Sequence, residues 1–276
     1  MKSLANALRL YGLFTDQRKD WSVGELAAHT GMPKSQCSKI LAEFRDAHFL
    51  RQDPVSRRYS VGIRSFVIGS QYLIQDGFTR QAMPLMAELT ERSGHSARLV
   101  VRDGDLLVYL LVTNSPDLVE SGWRAGAVLP WHATSAGRIM LAYMASEERD
   151  RLLATARLEA VNPRTVTDRA AIDRAIDHAR LTGFATARGE ATPGLGAISV
   201  PVLGPDLRVI AALGLAFPEH AVGPSEEQPL VTLLHEAAKR LSQRAGAAVY
   251  AIPPRAPTEP PVPVGPGAAA DPGAGS

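Results

Sequence analysis

The apolar positions of the first sixty residues follow a helical period in three consecutive runs and then alternate in a short hairpin. The first helix has Ser3 placed as its N-cap, and Gly31 is placed to end the second in a left-handed conformation. These elements cover residues 4–14, the segment between Ser22 and Gly31, about residues 33–48, and a hairpin around an Asp-Pro turn at 49–62. Their order predicts a winged helix-turn-helix domain at residues 1–61.

The rest of the chain alternates helical and strand periods, which predicts an α+β domain in which helices pack on a mostly antiparallel sheet. Residues 62–77 read as a linker and dimerisation helix, and residues 78–250 as the second domain. Its predicted helices cover residues 79–92, 134–145, 147–155, 168–182 and 225–245, and its predicted strands 97–102, 106–113, 184–188, 196–203 and 208–217. Residues 251–276 are rich in Pro, Gly and Ala and predict a disordered tail.

Positive charge is concentrated in the first quarter of the chain. Residues 1–75 hold eleven Lys and Arg against six Asp and Glu, a net charge of +5, whereas residues 76–276 hold 19 against 22, a net charge of −3. A basic N-terminal module suits a polyanionic partner. The single cysteine, Cys37, cannot form an internal disulfide, and no apolar run approaches eighteen residues. We therefore expect a cytoplasmic protein with no membrane partner.

The segment from residue 25 to residue 41 carries the residue types that a helix-turn-helix requires. Ala27 is small where the helices approach, Gly31 lies in the turn, and Cys37 and Ile40 face inward. The outer face of the second helix then presents side chains suited to base edges and phosphates, namely Lys34, Ser35, Gln36, Ser38 and Lys39. The alternative is a helical hairpin whose charged face is only solvated.

The predicted hairpin adds three cations, Arg51, Arg57 and Arg58, which are placed to reach neighbouring phosphates or the minor groove. One such module makes few base contacts, so specificity is expected from a dimer that reads two half-sites. The sequence therefore predicts double-stranded operator DNA as a partner.

Residues 4 to about 246 resemble the IclR family of bacterial transcriptional regulators. Beyond the helix-turn-helix, the resemblance rests on segments 129–138 (LPWHATSAGR) and 162–168, the pair Gly183-Phe184, Glu190 followed by Pro193-Gly194-Leu195, and Pro201-Val202. It implies a GAF-like effector-binding domain and assembly into a homodimer or homotetramer. It also implies that the protein binds an operator, more often as a repressor than as an activator, and that a small molecule such as an organic or aromatic acid controls this binding.

The resemblance also implies an effector pocket. Carried onto this chain, its residues are Leu118, Trp123, Leu129, Ser135, Ala136, Arg188, Glu190, Leu195, Ala197, Gly214 and Ala216. The chain departs from the family at Ala133 and Ala197, where Cys is frequent, at Arg188, where acids are frequent, and at Gly214 and Ala216, which replace hydroxyl-bearing residues. A cation and Trp123 beside an apolar wall favour a larger, aromatic ligand with a polar end.

The first sensor helix is predicted to begin near Thr134, which leaves the N–H groups of residues 135–137 to hold a carboxylate; the alternative is that Thr134 only caps the helix. His132 is expected to be a buried residue that positions its loop rather than a catalytic one.

The competing function is a small-molecule-binding enzyme with a basic accessory domain. The chain contains no Gly-x-Ser-x-Gly, Walker, His-Glu-x-x-His or Gly-x-Gly-x-x-Gly motif. We therefore expect no catalytic residue, no metal and no cofactor. A further alternative is a protein-interaction module in which the Pro-rich tail recruits partners; the other interpretation is that the tail is a passive extension.

Overall fold

The computed structural model describes residues 2–14, 18, 20–116, 124–156 and 158–252. Within them the helices are α1 (Lys2–Tyr11), α2 (Val23–Thr30), α3 (Lys34–Asp46), α4 (Ile63–Gln75), α5 (Gly77–Ser93), α6 (Ser135–Ala142), α7 (Ser146–Thr155), α8 (Arg169–Thr182) and α9 (Pro224–Arg244). The strands are β1 (Leu50–Gln52), β2 (Tyr59–Val61), β3 (Ser96–Asp103), β4 (Leu106–Thr113), β5 (Ala185–Arg188), β6 (Leu195–Leu203) and β7 (Val209–Pro218). The predicted α+β architecture with an N-terminal helix-turn-helix is confirmed.

The N-terminal unit packs α1, α2 and α3 around one apolar cluster. Ser22 begins α2 through a capping box, in which its hydroxyl accepts the N–H of Glu25 and the Glu25 carboxylate accepts the N–H of Ser22. Gly31 ends α2 with a φ of 72°, a left-handed conformation that glycine adopts without a Cβ penalty. The expectation that Ser3 caps α1 is wrong, because Ser3 lies inside that helix, which also ends at Tyr11 rather than Phe14.

Strands β1 and β2 form the predicted wing as an antiparallel pair. Trp21 forms a β-bridge with Tyr59, with backbone N···O distances of 2.9 and 2.7 Å, so the segment before α2 extends the wing. The wing is thereby attached to the three-helix core.

A five-stranded antiparallel sheet, in the order β4-β3-β7-β6-β5, forms the second unit. Helices α5 and α9 pack with one apolar cluster of the sheet, and α6 and α8 pack with the other. No helix among the described residues is both long and apolar enough to span a bilayer. Of the predicted disordered tail, residues 253–276 lie outside the described residues.

Candidate DNA-binding face and effector cavity

Helix α3 separates its apolar and polar residues onto two faces. Cys37, Ile40 and Leu41 are buried in the N-terminal core, which fixes the orientation of the helix. On the opposite face Lys34, Ser35, Ser38 and Lys39 are exposed, and Gln36 is half-buried. The structure thus brings the five predicted base-reading residues onto one helix, with most of their polar groups accessible.

The three wing arginines differ in how their guanidinium groups are used. Arg57 is exposed at the turn, with a φ of 58°, and Arg51 is exposed with its Nε 2.9 Å from Ser60 Oγ. Arg58 is half-buried and donates from Nε to Asp20 Oδ1 at 2.6 Å and from Nη2 to Glu25 Oε2 at 2.8 Å. Arg58 therefore ties the wing to the start of α2, whereas Arg51 and Arg57 face solvent.

Glu25 is the acidic centre of that attachment. Hydrogen bonds from the backbone and hydroxyl of Ser22, assisted by the nearby charges of Arg18 and Arg58, lower the pKa of its carboxyl to about 2. The carboxylate is therefore charged at every pH at which the protein would bind DNA, and it holds Arg58 in place.

A cavity of about 50 Å³ lies between the start of α6 and the sheet. On the same measure one water molecule needs roughly 10–15 Å³, so the space fits several non-hydrogen atoms. Its walls are mainly small side chains, and its polar and ionisable lining side chains are those of Arg98, Tyr109, Thr134, Ser135, Glu190, Thr192 and Ser199. Such a mostly apolar pocket with a few converging polar groups is typical of a small-molecule site.

The start of α6 is built by tight packing of the preceding loop. Thr134 Oγ1 caps the helix by accepting the N–H of Gly137 at 3.1 Å. A Cβ at Gly137 would lie 2.1 Å from the carbonyl oxygen of Trp131, so only glycine allows this approach. The cap therefore takes the N–H of Gly137, which was expected to be left for a carboxylate, whereas the N–H groups of Ser135 and Ala136 lie in the first turn, where a helix supplies no acceptor. Ser135 Oγ lies 2.8 Å from Ser199 Oγ across the cavity wall.

Glu190 enters the cavity wall as half of an ion pair. Its carboxylate accepts from Nη2 of Arg138, a buried residue of α6 whose Nη1 donates to the carbonyl oxygen of Thr186 at 2.7 Å. The backbone of Glu190 is held in turn, because its carbonyl oxygen accepts from Asn162 Nδ2 at 2.8 Å and from Thr165 Oγ1 at 2.7 Å. Segment 162–168 therefore positions the Glu190 loop.

Seven of the predicted pocket residues line this cavity: Ser135, Ala136, Glu190, Leu195, Ala197, Gly214 and Ala216. Leu129 is not among the lining residues and is buried in the α6–α8 cluster instead. Leu118 and Trp123 lie outside the described residues.

Arg188 lies away from the cavity. Its neighbour Ala187 lines the cavity, and successive side chains of a strand point to opposite faces. Arg188 instead donates to the carbonyl oxygen of Val222 at 2.9 Å and to Glu227 Oε2 at 2.9 Å, on the side of the sheet that α9 covers. The cation expected from Arg188 is therefore not supplied to the pocket by this residue.

Sequence reasoning missed the cation that does line the cavity, Arg98 of β3. A signal was present, because Arg98 stands between the apolar residues Ala97 and Leu99 in the predicted strand 97–102, and an arginine is rarely buried unless it is paired. Burial lowers the pKa of Arg98 and raises the pKa of its neighbour Tyr109 to about 12. Tyr109 is therefore a neutral phenol at pH 7.

His132 lies next to this site but is absent from its lining residues. It is buried, and its Nε2 lies 3.2 Å from the carbonyl oxygen of Glu159. Burial lowers its pKa, which favours a neutral imidazole that anchors the loop. Among the described residues no group of three or more His, Cys, Asp and Glu side chains could hold a metal ion.

Comparison with known proteins shows the same two-part organisation. The family model described as IclR helix-turn-helix domain matches residues 3–54, and the one described as bacterial transcriptional regulator IclR C-terminal matches residues 70–243. The chain is 26% identical over 246 residues to the HTH-type transcriptional regulator KdgR of Escherichia coli (strain K12), which covers 88% of this chain and 94% of KdgR.

Two solved structures share the fold over most of the chain. A putative IclR transcriptional regulator from Silicibacter sp. TM1040 is 27% identical, with a TM-score of 0.79 over 92% of this chain and 100% of its own. An IclR homolog from Microbacterium hydrocarbonoxydans, complexed with 4-hydroxybenzoate, is 25% identical, with a TM-score of 0.71 over 88% of this chain and 98% of its own. These matched proteins are transcriptional regulators or IclR homologs, which decides against the enzyme alternative.

Proposed function

The chain belongs to the IclR family of bacterial transcriptional regulators, and we propose that it is an operator-binding repressor that a small organic acid releases from DNA. The observation that carries the DNA-binding half is the accessible polar face of α3, fixed by the burial of Cys37, Ile40 and Leu41. A helix held in this way can enter the major groove with its side chains already oriented. Such a repressor acts on the chromosome and so in the cytoplasm.

We propose Lys34, Ser35, Gln36, Ser38 and Lys39 as the base-reading and phosphate-binding residues of α3. Gln36 is suited to adenine, and the two lysines to guanine or phosphate. Arg51 and Arg57 are proposed to bind backbone phosphates, since both are exposed on the wing. Arg58 contributes mainly by holding the wing against α2, because its guanidinium is already paired with Asp20 and Glu25.

The dimer that reads two half-sites is proposed to form through α4. None of the thirteen residues of α4 is buried, although Ile63, Phe66, Val67 and Ile74 recur on one stripe and are each more than half exposed. A stripe of this size on a monomer marks an interface. The proposed assembly is a homodimer, or a homotetramer of two such dimers.

Helix α4 also supplies a path from effector to DNA. At its start Ser65 Oγ donates to the carbonyl oxygen of Phe49 at 2.8 Å and accepts from Tyr11 Oη at 2.5 Å. At its end Asp76 caps α5 by accepting the N–H of Thr79 at 2.7 Å. Because α5 packs into the sheet cluster, a change in the sensor can move α4 and alter the half-site spacing.

The effector is proposed to bind in the cavity beside Ser135, Ala136, Glu190, Leu195, Ala197, Gly214 and Ala216. The described walls leave about 50 Å³, which suits the compact acid group of the effector. Of the two residues from which an aromatic ligand was expected, Arg188 faces the other side of the sheet and Trp123 lies outside the described residues.

The test is a fluorescence-anisotropy titration of the full chain against the DNA upstream of its own gene and against random duplex, over a salt series. We expect tight, salt-sensitive and sequence-preferring binding that falls when an acid effector is added. Equal affinity for both duplexes at every salt concentration would contradict an operator-binding role.

A further inference from the structure

The charges that line the effector cavity do not balance. One arginine, Arg98, and one carboxylate, Glu190, are among its described lining residues. Glu190 is neutralised by Arg138 of α6. Arg98 has no such partner among the described residues, since there it donates only to neutral oxygens and its other electrostatic neighbour is the Tyr109 phenol. Among the described residues, the cavity lining therefore carries one positive charge that no carboxylate pairs with.

The contacts of Arg98 leave its hydrogen-bonding capacity incompletely used. The residue is 3% exposed, and its Nε–H is buried without an acceptor. Nη1 donates to the carbonyl oxygens of Ala97 at 3.1 Å and Thr113 at 3.3 Å, and Nη2 donates to Asn114 Oδ1 at 3.3 Å. Hydrogen bonds to neutral oxygens at these lengths do not repay the burial of a full charge.

The strand register places a glycine and then a serine in line with this cation. Arg98 pairs with Gly214 on β7, and Gly214 pairs in turn with Ser199 on β6. A Cβ at position 214 would lie 2.5 Å from Ser199 Oγ, so the glycine is what allows the Ser199 hydroxyl to pack against β7 at the cavity wall. With strands about 4.8 Å apart, the Arg98 guanidinium and the Ser199–Ser135 hydroxyl pair therefore line the same cavity from strands on either side of β7.

We propose that Arg98 is the residue that binds the anionic group of the effector, in the part of the cavity that Ser135, Ser199 and Gly214 also line. The inference rests on the proposed effector cavity and adds its anion receptor. A carboxylate fits the vacant guanidinium edge, because two oxygens can accept side by side from one arginine. The Ser135 and Ser199 hydroxyls are then placed to bind a further oxygen of the ligand. Neutral amides of the same shape are excluded, since they leave the buried charge unpaired.

The experiment compares carboxylic acids with their primary amides on the full chain. Pyruvate, benzoate and 4-hydroxybenzoate, each with its amide, are titrated by calorimetry into the wild type, Arg98→Gln, Arg98→Lys and Arg188→Gln. Arg188 is the matched control, because it is an arginine of the same sheet that pairs with Glu227 on the other face. We expect at least one acid to bind the wild type and Arg188→Gln within threefold of each other, and its amide to bind neither.

For that acid we expect roughly 30-fold or weaker binding to Arg98→Gln, the loss typical of removing one partner of a buried charge pair. Arg98→Lys should fall between the two. Undiminished affinity of Arg98→Gln, equal binding of acid and amide, or no binding of any panel acid would each overturn the proposal.

Thermal unfolding without ligand distinguishes a ligand-binding role of Arg98 from a structural one. If Arg98 serves the ligand, Arg98→Gln removes an unpaired buried charge and its Tm equals or exceeds that of the wild type. If Arg98 only ties β3 to the end of β4, its Tm falls, and that result counts against the proposal. Operator anisotropy on the same samples tests the proposed function independently: loss of DNA preference would remove the regulator role without altering the acid-binding result.

Discussion

Replacement of Phe66 by alanine tests the α4 dimer most sharply. Phe66 is 69% exposed in the protomer, so about two thirds of its side chain remains to be buried by a partner. Full burial of such a side chain contributes roughly 1.5–3 kcal/mol, which leaves about 1–2 kcal/mol for the exposed part. A two-fold interface uses the residue twice, so the loss per dimer is about 2–4 kcal/mol. The dimer dissociation constant should therefore rise about 30- to 1000-fold.

Sedimentation velocity over a concentration series measures that constant directly. Leu181→Ala is the matched control, because Leu181 is an apolar side chain on α8 that is 79% exposed and lies away from α4. We expect Leu181→Ala to dimerise like the wild type and Phe66→Ala to sediment as a monomer at low micromolar concentration. The reasoning is refuted if Phe66→Ala retains the wild-type constant, or if both variants lose it equally.

Two further predictions concern the wing and the C-terminal helix. Arg57→Ala should weaken binding to specific and random DNA alike and reduce the slope of log K against log salt by about 1, because it removes one proposed phosphate contact. Arg58→Ala should in addition lower the Tm of the free protein, since Arg58 holds the wing through Asp20 and Glu25. Equal Tm values for the two variants would contradict this difference in role. Burial lowers the pKa of His235 to about 4, so the unfolded chain, with a pKa near 6.5, binds the proton more readily. The free energy of unfolding should thus decrease as pH falls from about 6.5 to about 4, by about 2–4 kcal/mol. Chemical denaturation of His235→Gln should show a flatter pH dependence, and an unchanged profile would argue against the buried neutral imidazole.

The local features of the fold could be predicted from the sequence because they depend on short-range periodicity and capping. The capping residue Ser22, the left-handed Gly31 and the apolar face of α3 are each visible within one or two turns of chain. The N-cap at Ser3 was wrong because a serine inside the first turn and a serine before it look the same in sequence. The structure places Ser3 inside α1.

The effector cavity could be predicted only in part, since its geometry depends on strand faces and register. Arg188 and Ala187 differ by one position, and that single step decides which side of the sheet each side chain faces. Arg98 is joined to Gly214 by the pairing of β3 with β7, two strands more than one hundred residues apart in the sequence, which no local pattern reveals. The strands of the sheet were thus predictable from local patterns, whereas the place of Arg98 beside the pocket depends on this long-range pairing.

The central claim, that α3 reads DNA, is tested most directly by titrating Gln36→Ala against a mapped operator and against random duplex by fluorescence anisotropy. Loss of a base contact costs about 1–3 kcal/mol, so operator affinity should fall about 5- to 150-fold while affinity for random duplex stays within twofold. An equal loss on both duplexes, or no loss on either, would contradict the assignment of α3 as the reading helix.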